Sequence, residues 1–505
     1  MRPLVRSTSA LLCAALLLTG CSSEQDKPKT NGSPKPPAPA GNADGRPIQS
    51  HPTAQHGGVR VDLMALDRVS PQVVVARFKI VNRTSAPFAF GYTLSGLTFR
   101  PDPLNKLDTN AVSAITLFDQ VNSRRHFVLT ESSGKCLCTR DDSPDVSPGQ
   151  SIDLAAAFPA PPDGIDQMGV LFPNTPPFMN VKLGDRAAPA LELEGQQVDL
   201  TRAQTKPPLI RSVAATTESP TGGEDDLGTD LRVRLSSDVL FALNKADLTP
   251  RAQEILRSVA GKIDQSPGGP VRVDGHTDTS GDDAINVPLS QRRAASVEGE
   301  LKKLVTKPGT AFQAKGHGSA DPVASNDNET GRKLNRRVSV SFARPKPSAA
   351  APPSTAAKTG PVVLKAQAAA PPGHALRWPR NARVEIDPVR RVGGGYALLS
   401  WMVANEDSAN LHADMAFGGL SLSQGYYGSG VNGVALEAED KRYRILRDDR
   451  GSGLGTTFNL MSSGAYEVAK GESLRLTAMF KIPDDLASVT VDLPGFGKAA
   501  NVPVR

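Results

Sequence analysis

The chain has 505 residues, 39% of them hydrophobic but only 5% aromatic, with 45 Gly and 42 Pro. That length predicts roughly two to four domains, each able to bury a core, with the excess Gly and Pro in turns and linkers. A formal net charge of +6 in a mixed-sign sequence gives no electrostatic case for nucleic acid, and four cysteines exclude a disulfide-dense scaffold.

Arg2 and Arg6 make a short basic start, and Ser9–Leu18 (SALLCAALLL) is apolar but too short to span about 30 Å of hydrocarbon. The expectation is a signal peptide over residues 1–20, with Cys13 discarded inside it, and no later apolar run long enough to span a bilayer. Leu18-Thr19-Gly20-Cys21 resembles the bacterial lipobox. The resemblance implies cleavage before Cys21 and lipidation, for example by palmitate, of a membrane-anchored lipoprotein. The anchor would sit outside the cytoplasm, in the outer face of the cytoplasmic membrane or in an outer membrane facing the periplasm; Ser22 leaves both open. An ordinary secretion signal with a Cys nearby by chance is the plainer alternative. Residues 21–57 carry many Pro, Gly and Lys and few large apolar groups, which predicts a disordered tether.

Three bodies are expected beyond the tether, at 58–200, 229–344 and 374–505, separated by a polar linker at 201–228 and an Ala/Pro-rich linker at 345–373. The outer two repeat one another. Val59–Ala86 aligns with Ala382–Ala409 without a gap, placing Asn82 on Asn405; Arg125–Leu129 then matches Arg442–Leu446, and Phe158 matches Phe480. The preserved order and spacing point to an internal duplication. Short β-branched and aromatic runs, such as Val73–Val81 and Tyr396–Val403, are punctuated by Gly, Pro, Asn and Asp. Each copy is therefore expected to be an all-β, Ig-like sandwich. His126 and His412 have no partners at metal spacing and are expected on the surface. Cys136-Leu137-Cys138 occurs in the first copy only. Its single spacer is short for a zinc pair, so a small disulfide ring is the expectation, with a soft-metal Cu(I) site as the alternative.

In the middle body, Thr249-Pro250 predicts a helix start, and Ala252, Ile255, Leu256, Val259 and Ile263 recur at helical spacing. Val271 and Val273 alternate as in a strand. Ser290 is expected to cap a second helix whose stripe is Ala294, Val297, Leu301 and Leu304. Phe312 with Ala314, then Val338, Val340 and Phe342, predict two more strands. The order strand–helix–strand–helix–strand–strand predicts a central α/β sandwich, βαβαββ, between the two all-β domains of a multidomain chain joined by disordered linkers.

The run Gly275-His276-Thr277-Asp278-Thr279-Ser280-Gly281, with Asn286, Leu289-Ser290 and Arg293-Ala294, resembles the OmpA-like peptidoglycan-binding domain, the family of the Pal lipoproteins and the MotB stators. Phe241 and Asn244 before it agree, as do Gly316-His317-Gly318, Gly331-Arg332 and Asn335-Arg336-Arg337-Val338 after it. About 110 residues are covered; the family's membrane barrel and the stator's transmembrane helix are not among them. Pro288 departs from the usual pattern and is expected to alter a loop there. The resemblance implies a ligand, the diaminopimelate of the peptidoglycan stem peptide, whose free end holds an ammonium and a carboxylate on one carbon. Asp278 would take the ammonium and Arg293, in the first turn of the second helix, would clamp the carboxylate in two-pronged geometry. Thr277 and Asn286 would add polar contacts and Leu289 a wall. Arg336 and Arg337 are expected to be structural, with one of them facing the sugar chain as the alternative, His276 and His317 not to bind metal, and Asn326-Asp327-Asn328-Glu329 to be a solvated loop rather than a Ca²⁺ site.

No catalytic residues, cofactor or metal are expected. The leading expectation is a non-enzymatic, lipid-anchored cell-envelope protein that joins membrane to wall, with its β-domains facing an unknown protein partner and no nucleic acid involved. The alternatives are an envelope enzyme, or a ligand- or metal-sensing lipoprotein, that uses the middle domain only for wall targeting. No glycosidase pair, Cys-His pattern or GxSxG elbow favours the enzyme.

Overall fold

The computed structural model describes residues 45–55, 57–90, 94–95, 111–141, 145–185, 190–193, 196–200, 202–345, 361–366, 381–408, 410–412, 429–458 and 467–505. The leader, Cys21 and most of the tether lie outside the described residues, as does most of 345–373. Within them the chain is mostly β, with one small α/β region that carries four helices.

The first β-body has two four-stranded arrays. One pairs Gln49–Pro52, Val59–Ser70, Val73–Asn82 and Ser151–Pro159 in that order; the other orders Phe178–Lys182, Gln167–Leu171, Thr116–Asp119 and Arg124–Phe127. Alternate residues drive them together. Val74, Ala76, Phe78 and Ile80 from the first array meet Leu117, Val170 and Phe178 from the second in one buried core. The second body repeats this order: Val362–Ala366, Ala382–Ile386, Tyr396–Asn405 and Ser473–Lys481, then Gly497–Pro503, Ser488–Leu493, Ala435–Ala438 and Lys441–Arg444.

The registers agree as well. Val74 faces Phe158, and Ala397 faces Phe480. Asn82 donates its side-chain amide to the carbonyls of Ala86 and Val146, both at 2.8 Å, and accepts from Thr84 N at 2.9 Å. Asn405 donates to Val468 O at 2.7 Å and accepts from Asp407 N at 3.0 Å. Each asparagine ends a long strand by satisfying backbone groups the sheet no longer pairs. Cys136 and Cys138 form a disulfide. Leu137 N bonds Leu129 O, and Leu454 N bonds Leu446 O, both at 2.8 Å, so this ring stands where the second body has Gly453-Leu454-Gly455.

Several expectations need correction. The first strand of each body falls inside a segment expected to be unfolded, at Gln49–Pro52 and Val362–Ala366. Gln49–Pro52 is an edge strand with no buried side chain, so its residues announce little. The segment 201–228 is not a linker where the strands Ile210–Ser219 and Gly222–Asp226 run through it. The first of these is a strap. It pairs with Arg124–Phe127 of the first body, with Lys441–Arg444 and Arg447–Asp448 of the second, and with Gly222–Asp226, which leads into the α/β sheet. Its polarity is internal. Arg211 and Thr216 are buried against Asp448 and Asp225, at 3.4 and 2.8 Å. His126 is buried too, its Nδ1 2.9 Å from Pro159 O, and burial lowers its pKa.

The α/β region orders its strands Asp230–Ser236, Arg337–Ala343, Pro270–His276 and Ala311–Gly316; only the last pair is parallel. The helices are α1 (Ser237–Leu240), α2 (Pro250–Gln265), α3 (Asp283–Leu304) and α4 (Glu329–Asn335). Thr249 caps α2 by accepting from Ala252 N at 3.1 Å. The α3 cap is Asp282, which accepts from Ile285 N at 3.1 Å, not Ser290. The helix therefore starts two turns earlier than expected and holds Pro288 inside it. Proline there costs one ladder bond, and the turns on either side carry the helix through. Among the described residues no helix is long and apolar enough to cross a membrane.

Candidate functional site

Two glycines set the depth of the site. Gly275 and Gly316 face each other across the parallel strand pair. A Cβ on Gly275 would lie 2.2 Å from Ser290 O, and one on Gly316 2.3 Å from Gln291 N. The backbone of α3 therefore rests directly on the sheet at this point. Ser290 Oγ locks the contact by donating to Val287 O at 2.8 Å and accepting from Gly318 N at 2.9 Å. Three residues further along α3 stands Arg293, in the third turn rather than the first.

Asp278 follows the end of strand Pro270–His276 and is buried. Its Oδ2 accepts from Arg336 Nη1 at 2.7 Å, and its Oδ1 from Ser280 N at 2.9 Å. Burial pushes this carboxyl up, but the bonds from Arg336 and Ser280 outweigh it and hold the group below the ordinary carboxylate range. Asn286 lies with its Nδ2 3.3–3.4 Å from the carbonyls of Asp278, Ser280 and Gly281, so its donors hold the loop that presents Asp278. Thr277 donates its amide to Gly318 O at 2.8 Å, while its hydroxyl is buried with no partner among the described residues. Leu289 is buried on α3.

Arg293 donates Nε to Lys245 O at 3.0 Å, and its guanidinium lies over the Phe241 ring, 5.2 Å from the centroid. Burial lowers its pKa; Asp238 and Asp278 act the other way. One edge of the guanidinium is thus pinned. Its two terminal nitrogens make no hydrogen bond among the described residues.

Arg336 joins the site, where the leading expectation made it structural. It donates to Asp238 through Nε and Nη2 at 2.9 and 2.8 Å, to Glu329 at 2.8 Å, and to Asp278. One guanidinium gathers three carboxylates, and these bonds, led by those from Asp238, raise its pKa. Arg337 is structural: it is buried and donates to Asp321 O at 2.9 Å. The 326–329 run caps and braces α4. Asn328 accepts from Gly331 N at 2.8 Å, and Asn326 accepts from Asn335 Nδ2 at 2.9 Å.

His276 and His317 stack 4.8 Å apart. Burial, then Arg337, pushes His276 down to about 4, and His317 Nε2 lies 2.8 Å from Asp274. Among the described residues no group of three His, Cys, Asp or Glu side chains is placed to hold a metal.

Residues 240–336 match the model of the OmpA family, and this stretch is an OmpA-like domain. The outer membrane porin F of Pseudomonas fluorescens is 41% identical over 112 residues, 22% of this chain and 33% of that protein. The peptidoglycan-binding protein ArfA of Mycobacterium tuberculosis is 32% identical over 137 residues, 26% of this chain and 42% of that one. The chain thus spans between a third and about two fifths of the length of these relatives. The cell wall anchor of the T6SS from Pseudomonas aeruginosa aligns with 25% of this chain and 88% of its own, at 30% identity and a TM-score of 0.23. For the peptidoglycan-associated lipoprotein from Burkholderia pseudomallei the shares are 20% and 86%, at 27% identity and a TM-score of 0.18.

Proposed function

We propose that this chain is a non-enzymatic cell-envelope protein that binds peptidoglycan through the zwitterionic end of diaminopimelate, and that it is tethered to a membrane by lipid on Cys21. The observation that carries the reading is Arg293, buried and fixed along one edge, with its terminal nitrogens open beside an ionised Asp278. A carboxylate would take the two open nitrogens side by side. The ammonium on the same carbon would go to Asp278, whose two oxygens offer about four lone-pair sites, of which Arg336 and Ser280 use two. The unpartnered hydroxyl of Thr277 supplies a further polar group. ArfA, named for binding peptidoglycan, supports the ligand class. The matching strand orders support reading both β-bodies as Ig-like sandwiches from one duplication, with the OmpA-like domain between them.

The test is co-sedimentation of the full chain with purified sacculi. Truncating one partner of a buried, hydrogen-bonded charge pair costs about 2–5 kcal/mol. Asp278→Ala and Arg293→Ala should each weaken binding by roughly 30-fold or more, and together by less than the product. Peptides with lysine in place of diaminopimelate lack the side-chain carboxylate and should bind poorly. Full binding by a folded double variant would sink the site, and release of muropeptides from the sacculi would sink the non-enzymatic reading.

A further inference from the structure

The two β-bodies meet head to tail. The second body offers the outer face of its Tyr396–Asn405 and Ser473–Lys481 strands. Tyr396, Leu398 and Met479, with Leu446 and Leu454, pack there against Phe118 and Met179 of the first body and Val213 of the strap. Tyr396 Oη lies 2.7 Å from Ser123 Oγ, and Asp448 sits between Arg125 and Arg211 at 3.5 and 3.4 Å. Different surfaces of the two repeats are used, so the contact is heterologous. A heterologous contact between like units closes only where its rotation completes a ring; otherwise it propagates unless its ends are blocked.

Both ends are blocked, by different means. The first body holds Val73, Val75, Ala157, Leu129 and Leu137 where the second holds Tyr396, Leu398, Met479, Leu446 and Leu454. The backbone bonds agree: Leu129 N to Ala157 O and Leu446 N to Met479 O, both at 2.8 Å. In the first body this apolar receiving face lies under the hairpin Ala190–Leu193/Gln196–Asp199, through Leu191, Val198 and the following Leu200. At the other end, strand pairing puts Glu437, Asp492 and Arg442 of the second body where the first has Phe118, Leu171 and Arg125. The donating face is thereby charged. Arg442 bonds Glu437 and, at 2.6 Å, Asp492, while Lys498 reaches Glu437 at 2.7 Å.

We propose that the hairpin and the charged ladder are end caps that hold a self-propagating repeat contact at two bodies. The face under the hairpin is then a docking surface for the second body of another copy of this chain. The occupant follows from continuity with the contact already made within the chain.

Sedimentation velocity of the full chain over a range of concentrations tests this. Glu437→Phe with Asp492→Leu rewrites the ladder as the first body's donating face and keeps Arg442 where Arg125 stands. Leu191→Glu with Leu200→Glu lifts the hairpin. Each pair alone should remain monomeric, since a chain with one open end finds no complementary end. All four together should give sedimentation coefficients that climb with concentration as open chains form. Leu191→Ser with Leu200→Ser replaces the glutamates if these prevent folding. A folded four-site variant that stays monomeric at every concentration overturns the proposal, as does assembly by either pair alone.

Discussion

Asp448 is the residue on which the contact between the β-bodies should depend most. Its side chain is fully buried, with Oδ2 toward Arg125 and Arg211 and Oδ1 accepting from the amides of Arg450 and Ser452 at 3.0 and 2.9 Å. Burial pushes the Arg125 guanidinium down to about 10 even with Asp448 beside it. Asp448→Ala takes the shared carboxylate from two buried cations, a change that costs about 3–5 kcal/mol. Several bodies in one chain need not unfold in one step, so a single denaturation midpoint is the wrong readout. Hydrogen exchange at Asp449, whose amide bonds Ser212 O of the strap at 2.9 Å, reads the opening directly. At ~1.4 kcal/mol per decade its protection should fall by about 100- to 3,000-fold. Asp448→Asn keeps an acceptor for the two amides and should lose less. Protection at Asp449 unchanged within threefold in the alanine variant would refute the argument.

Acid should act on the domain in two windows. Asp278 has a lowered pKa in the fold, so its contribution is full above the ordinary carboxylate value and is lost as pH falls through the lower folded one; sacculus binding should hold to about pH 4 and fail below it. His276 titrates near 4 in the fold against about 6.5 unfolded, so the unfolded chain binds more protons between those values and stability rises with pH there. Exchange protection at His317, whose amide bonds Gly275 O at 2.9 Å, should drop from pH 6.5 to 4 once intrinsic rates are divided out, and a His276→Gln variant should flatten that slope; an unchanged slope would contradict the assignment. Asn405→Ala removes the bond to Val468 O and Asn82→Ala those to Ala86 O and Val146 O; each should cost about 1–3 kcal/mol in exchange protection at the end of its strand. Equal and negligible effects would contradict the capping role.

The OmpA-like region was legible because its motif is local in sequence. Thr249-Pro250 starts α2, the 275–281 run carries Asp278, and Arg293 follows at fixed spacing. The repeat was legible because Asn82 and Asn405 do one job at the end of equivalent strands. The strap was not. Arg211, Thr216 and Asp225 are polar, and polarity implies solvent unless the partners are known; one partner, Asp448, lies more than 200 residues away. Arg336 was missed for a related reason. It ends the short helix α4, adjacent Arg337 begins a strand, and nothing in that pair says which faces Asp278.

A hydrogen-bonded path of ten strands leads from Phe178–Lys182 through the strap to Ala311–Gly316, beside the candidate site. Swivelling at the strap would break ladder bonds, so the protein behaves less like beads on a string than like a ruler. A ligand held by a β-body and a wall fragment held by the OmpA-like domain would be kept at one separation and one angle. Simultaneous engagement then becomes a matter of spacing: partners at the matching distance gain the full effective concentration of a linked pair, and partners elsewhere gain almost none.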